Sequence, residues 1–124
     1  MSEASVVIET LLARNLLEVF GEHDPAKRRA VIGELFTEDF TFTDPHGRNS
    51  GHEALDEAVT ALHKLLPGYV FKTRAPPQTL EDAGRLAWAF GPPEDPERVT
   101  GLDVIAVRGG RIAALYTFLD HPPA

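Results

Sequence analysis

The chain has 124 residues, 43% of them hydrophobic and 25% charged, which suits one domain (1–124) that buries roughly two-thirds of its unfolded surface. Nineteen acidic residues against twelve basic ones give a net charge of −7, and the one basic cluster, Lys27-Arg28-Arg29, has acidic neighbours, which argues against a nucleic-acid partner. The absence of cysteine excludes disulfides and thiolate chemistry; no apolar run reaches the ~20 residues of a membrane span and the N-terminus lacks a signal-peptide layout, so a cytoplasmic location is expected.

The first predicted helix runs from about Ser5 to Phe20, with Ile8, Leu11, Leu12, Leu16, Val19 and Phe20 at helical spacing. Asn15 falls inside this apolar stripe, where a buried amide needs hydrogen-bond partners. Asp24 as N-cap and Pro25 in the first turn open a second helix, whose inner face carries Val31, Ile32, Leu35 and Phe36. A strand follows over Phe40–Asp44, then a turn through Pro45, Gly47 and Asn49. Ser50 and Glu53 read as a capping box for a third helix, lined by Leu55, Ala58, Val59, Leu62 and Leu66 and ended by Pro67-Gly68.

From there the period changes to two. Strands are predicted over Tyr69–Thr73, Thr79–Glu81, Arg85–Phe90, Val99–Val107 and Arg111–Leu119, divided by turns at Asp82–Gly84, Gly91–Asp95 and Gly109-Gly110. Three helices with one strand among them, then a run of antiparallel strands, describe an α+β fold with helices packed on one face of a curved sheet. Both faces of the last two strands are apolar, so one face needs a cover other than the helices. A homodimer through the outer sheet face is expected.

Among chemistry-bearing residues, Asp44 shares a strand face with Phe40 and Phe42, yet Asp-Pro-x-Gly also fits a type I turn. The two readings are compatible. Asp103 is opposite in parity to Leu102, Val104 and Ala106; if those three face the helices, Asp103 faces out, unless a bulge reverses the strand. Trp88 alternates with Leu86 and Phe90 as core or pocket wall, and Leu115, Thr117 and Leu119 share one face of the final strand. His46 follows Asp44 by two residues and could titrate beside it. The five histidines are scattered and no metal site is expected.

The stretches ARNLLEVFGEHD (13–24), LFTEDFTFTDPHG (35–47) and GLDVIAVRGGRIAALYTFLD (101–120) carry a resemblance to the nuclear transport factor 2-like superfamily and, within it, to the SnoaL-like proteins. The resemblance implies a cone-shaped fold, with three N-terminal helices packed on a curved, mainly antiparallel sheet and a pocket in its wide end. Ketosteroid isomerases of this superfamily use an Asp-Pro base, matched here by Asp44-Pro45. Their oxyanion-hole positions fall on Asn15, which can donate a hydrogen bond, and on Ala106, which cannot. Limonene-epoxide hydrolases place their water-holding groups where this chain has Phe42, Asp44 and Thr117, and the tyrosine they need is missing. SnoaL-like polyketide cyclases ask for less: one acid/base carboxylate in an apolar cavity. The expectation is therefore cofactor-independent proton transfer (isomerase, cyclase or lyase) on a small hydrophobic carbonyl ligand. Catalytic candidates are Asp44, Asn15, His46 and Asp103, and pocket-lining candidates are Phe42, Trp88, Leu115, Thr117 and Leu119. The competing expectation is a non-catalytic dimeric module that binds a small apolar ligand.

Overall fold

A computed structural model describes residues 2–121; the ends of the expected 1–124 domain lie outside the described residues. Helix α1 spans Glu3–Arg14, capped by the Ser2 side chain accepting from the Ser5 N–H. It continues without a break into a π-helical segment, Asn15–Phe20. The sequence periodicity gave no warning of this change, because the apolar stripe runs through both parts. Helix α2 (Pro25–Leu35) starts as expected, with Asp24 accepting from the Ala26 N–H, but Phe36 ends it by turning extended and opens strand β1 (Phe36–Asp44).

Strand β2 (Gly47–Ser50) stands where a turn was expected. It folds back on β1 through Pro45-His46, with Asp44 opposite Gly47. The capping-box reading of Ser50 therefore fails: Ser50 belongs to β2, and Gly51 precedes helix α3 (His52–Leu65) with no side-chain cap. The remaining strands are β3 (Val70–Thr73), β4 (Gln78–Leu80), β5 (Ala83–Gly91), β6 (Val99–Arg108) and β7 (Arg111–Leu119). The tight β6–β7 turn at Gly109-Gly110 has positive φ at both glycines, +59° and +78°, as a two-residue hairpin of this kind requires.

The sheet runs β2-β1-β7-β6-β5-β3, with β4 also paired to β5. Every pairing is antiparallel except β1 with β7. Irregularities between Phe36 and Thr41 in β1, and at the Ala106–Val107 step of β6 against β7, bend the sheet. The three helices pack into the concave side. There, Ile8, Leu11, Leu12 and Leu16 meet Leu35, Phe36, Phe40, Leu55, Val59, Ile105, Ile112 and Leu115 in one core.

Two of these helices are also tied by charge. Arg28 of α2 is buried; its Nε donates to Asp56 of α3 at 2.8 Å, its Nη1 to the Glu22 carbonyl at 2.6 Å, and its Nη2 to the Thr60 hydroxyl. The basic cluster of the sequence thus holds one inward arginine with all three nitrogens engaged. No described helix is long and apolar enough to cross a membrane.

Candidate functional site

The parity of β6 decides the site. Gly101, Asp103 and Ile105 are buried while Leu102, Val104 and Ala106 are half-exposed, so the arrangement in which Leu102, Val104 and Ala106 face the helices is corrected. Asp103 faces inward at 4% exposure. Its cross-strand partners are Leu86 on β5 and Thr117 on β7, and Ala106 lies on the opposite face with Ala83 and Ala114. Sequence alone could not choose, because both faces of these strands are apolar.

Inside the sheet, Asp103 accepts two hydrogen bonds at Oδ1, from Trp88 Nε1 at 3.1 Å and from Thr117 Oγ1 at 3.0 Å. Among the described residues, Oδ2 has no hydrogen-bond donor. Burial pushes the Asp103 carboxyl up to about 6, although the Thr117 and Trp88 donors each pull it down. Desolvation wins because the charged form loses more water than two donors replace. A carboxyl in this state is partly protonated near neutrality and can both donate and accept.

Asp44 lies on the same row of the sheet. β1 and β7 run parallel in the register Phe42 to Leu115 and Thr43 to Tyr116, and one step further brings Asp44 level with Thr117. Asp44 shares the inward parity of Phe40 and Phe42, both buried. The row therefore reads Asp44, Thr117, Asp103, Leu86, with the two aspartates separated by two strand spacings, about 10 Å of backbone. Asp44 is also the turn residue that the sequence suggested: its Oδ1 accepts the His46 N–H at 2.9 Å. His46 is exposed and joins the site through that backbone bond alone.

Asn15 supplies the third polar group. It is fully buried, and neither Nδ2 nor Oδ1 finds a partner among the described residues. Its neighbours along the helix meet the sheet at two points. A Cβ on Gly84 would come within 2.4 Å of Ile8 and 2.9 Å of Leu12, so α1 crosses β5 there. At the other end, Phe20 meets Phe71 with ring centroids 6.0 Å apart, and Phe71 lies 3.9 Å from Phe90 and 5.6 Å from Trp88. Asn15 falls in the chain between these two contact points. It opens the π-helical turn, a geometry that is rare and frequently found at functional sites.

The side chains around this part of the sheet are apolar. Phe42 and Leu115 are buried side by side on β1 and β7, Leu119 packs on the core edge, and Phe20 bridges Phe42 and Phe71 edge-on. Outside Phe20 and Phe71 lies a cavity of about 370 Å³, also lined by Leu17, His23, His63, Tyr69 and Val70. There His63 stacks on His23 and its Nε2–H donates to the Phe20 carbonyl at 2.6 Å. Desolvation lowers the His63 pKa. His52 is used structurally, its Nε2 facing the Phe36 and Thr37 carbonyls. Among the described residues there is no group of three or more potential metal ligands.

The sequence profile of the SnoaL-like domain matches residues 13–115. No curated protein matches the chain in sequence. Among solved structures, a protein of the SnoaL-like family from Agrobacterium tumefaciens str. C58, named as an isomerase, is 25% identical with a TM-score of 0.86; the match covers 94% of this chain and 99% of that one. A SnoaL-like protein from Jannaschia sp. CCS1, named as a polyketide cyclase, is 14% identical with a TM-score of 0.80, covering 97% and 90%. A nuclear transport factor 2-like protein from Mesorhizobium loti is 20% identical with a TM-score of 0.74, covering 98% and 97%.

Proposed function

Because the chain belongs to the SnoaL-like family, we propose that it is a small-molecule enzyme that moves a proton on a hydrophobic carbonyl compound without a cofactor. The observation that carries this reading is the buried Asp103 carboxyl held by Trp88 and Thr117, in a fold that also offers Asp44 at the end of β1 and a buried Asn15 without a hydrogen-bond partner among the described residues. Two carboxyls in unlike surroundings, one half-buried at the strand end and one buried on the inner face, suit division into base and acid.

In this scheme Asp44 takes the proton from an acidic carbon of the substrate. The electron pair moves onto the carbonyl oxygen, where protonated Asp103 and the Asn15 Nδ2–H donate hydrogen bonds to the enolate. Asp44 then returns its proton to a second carbon, so the cycle consumes nothing. Donors held ready in a dry site are worth about 2.7–4 kcal/mol each in the transition state. Asp103 thus takes over the donor task that Ala106 cannot perform. Phe42, Leu115 and Leu119 shape the apolar wall, and Thr117 orients Asp103. The names of the Agrobacterium and Jannaschia proteins support an isomerase or cyclase outcome.

The test is solvent deuterium incorporation into apolar 1,3-diketones and β,γ-unsaturated ketones, followed by proton NMR. Asp44→Asn keeps the turn-forming side-chain oxygen and is expected to slow exchange by about 100-fold or more. An unchanged rate rejects the reading.

A second reading, a module that holds an apolar ligand without transforming it, is favoured by Asn15 alone, whose amide needs both a donor and an acceptor from its guest. Native mass spectrometry of the purified protein separates the two. A co-purifying ligand lost in Asn15→Leu, with no exchange activity in the parent, supports the second.

We also propose a homodimer through the outer sheet face. Leu102, Val104, Ala106 and Tyr116 are half-exposed there and Phe118 is 57% exposed, forming an apolar surface that invites a cover. Light scattering at micromolar concentration is expected to give twice the chain mass.

A further inference from the structure

Gly101 and Trp88 form a unit with Asp103 that the proposed chemistry does not by itself require. Trp88 and Gly101 are directly opposite across β5 and β6, and both are buried on the inner face. The indole lies flat against the glycine: a Cβ at position 101 would come within 2.4 Å of Trp88 Cζ2 and 2.9 Å of Cε2, and within 2.5 Å of the Phe118 carbonyl. Gly101 has an ordinary strand conformation, so the reason for glycine is space. With any side chain there, the six-membered ring of the indole would have to lift away from β6.

That seating aims Nε1 at the carboxyl two residues along β6. Trp88 Nε1 reaches Asp103 Oδ1 at 3.1 Å, and the Thr117 hydroxyl reaches the same oxygen at 3.0 Å. Both donors converge on Oδ1, which leaves Oδ2 as the oxygen that carries or accepts the mobile proton. The geometry points to Gly101 and Trp88 as positioning residues: the glycine seats the indole, and the indole N–H fixes the Asp103 carboxyl so that Oδ2 is offered to the substrate. Gly-Leu-Asp in this chain is therefore one working motif completed by a tryptophan from the neighbouring strand. This inference rests on the reading of Asp103 as the acid of the site.

The chain has a single tryptophan, so its indole N–H gives one unambiguous NMR resonance. In the unmodified protein that resonance is expected to shift with pH at the same midpoint as the carboxyl carbon of Asp103. An indole signal that stays flat while Asp103 titrates overturns the proposal. Trp88→Phe keeps an aromatic ring and removes the N–H; because a donor to the charged form favours it, the Asp103 midpoint is expected to rise by about one unit. A midpoint that does not move overturns it equally. Gly101→Ala, made both in the Trp88 protein and in the Trp88→Phe variant, is expected to raise the midpoint only in the former. An equal shift in both backgrounds makes the glycine a general strand requirement and removes it from the unit. None of these readouts needs turnover. Failed deuterium exchange with an intact indole titration rejects the proposed reaction and leaves the positioning role standing.

Discussion

Among the described residues, two groups of buried polar side chains are built with opposite logic. Between α2 and α3, Arg28 is enclosed with Asp56, Thr60 and the Glu22 carbonyl, and all three guanidinium nitrogens are satisfied. At the start of the π-helical turn, Asn15 has no partner for either amide atom among the described residues, and on β6 Asp103 is desolvated enough to sit near 6. A saturated cluster has nothing left to offer a ligand and serves the fold. An unsaturated one costs the protein stability and keeps hydrogen-bonding capacity for a guest. In the proposed reading, unmet polar capacity, rather than polarity or burial, separates the candidate site from the scaffold.

The contrast is broken most severely at Arg28. Arg28→Met leaves Asp56 largely buried without its main counter-charge, and the expected loss is about 3 kcal/mol or more of unfolding free energy, read from urea denaturation. A loss below about 1 kcal/mol would show that Arg29, 3.4 Å from the other Asp56 oxygen, compensates.

Next in size is a pH effect at Asp103. Its folded pKa, about 6, lies above the ordinary aspartate value of 3.8, so between these values the folded state binds more protons than the unfolded one. The contribution to stability is full below about 3.8 and is lost as pH rises through about 6, a change of roughly 3 kcal/mol. Asp103→Asn is expected to flatten that part of the stability profile. Unfolding curves for both proteins between pH 4 and 7, in steps of about half a unit, measure it; parallel profiles would show that burial does not raise this carboxyl.

The smallest effect has the opposite sign. Asn15→Leu replaces an unpartnered amide with an apolar group of similar size and is expected to stabilise the protein by about 1–2 kcal/mol. The same change is expected to abolish ligand retention or proton exchange. A destabilised variant would mean that the Asn15 amide serves packing, and the two clusters would lose their distinction.

Much of the scaffold could be read from local pattern. The apolar stripe of α1, the Asp24-Pro25 start of α2, the period-two strands after Tyr69 and the Gly109-Gly110 hairpin all depend on near neighbours in the chain. Asn15 announced itself as an amide on an apolar stripe, and Asp44 as a carboxylate on the face of two phenylalanines. The π-helical turn at Asn15, the β2 strand and the early start of β1 at Phe36 left no such trace, because each is imposed by packing and pairing across the fold. Trp88 read as a wall; its indole N–H turns out to hold a carboxyl two cross-strand positions away.

By itself, then, the sequence determined most of the helices and strands, the α+β order and the inward position of Asn15, since side-chain periodicity is a property of neighbouring residues. Only the tertiary structure decided that Asp103 faces in, that Asp44 stands on its row, and that Arg28 is a clamp instead of a surface charge. Strand parity between two apolar faces is resolved by which face the helices cover. The ionisation of a buried carboxyl is set by the desolvation that the same covering produces.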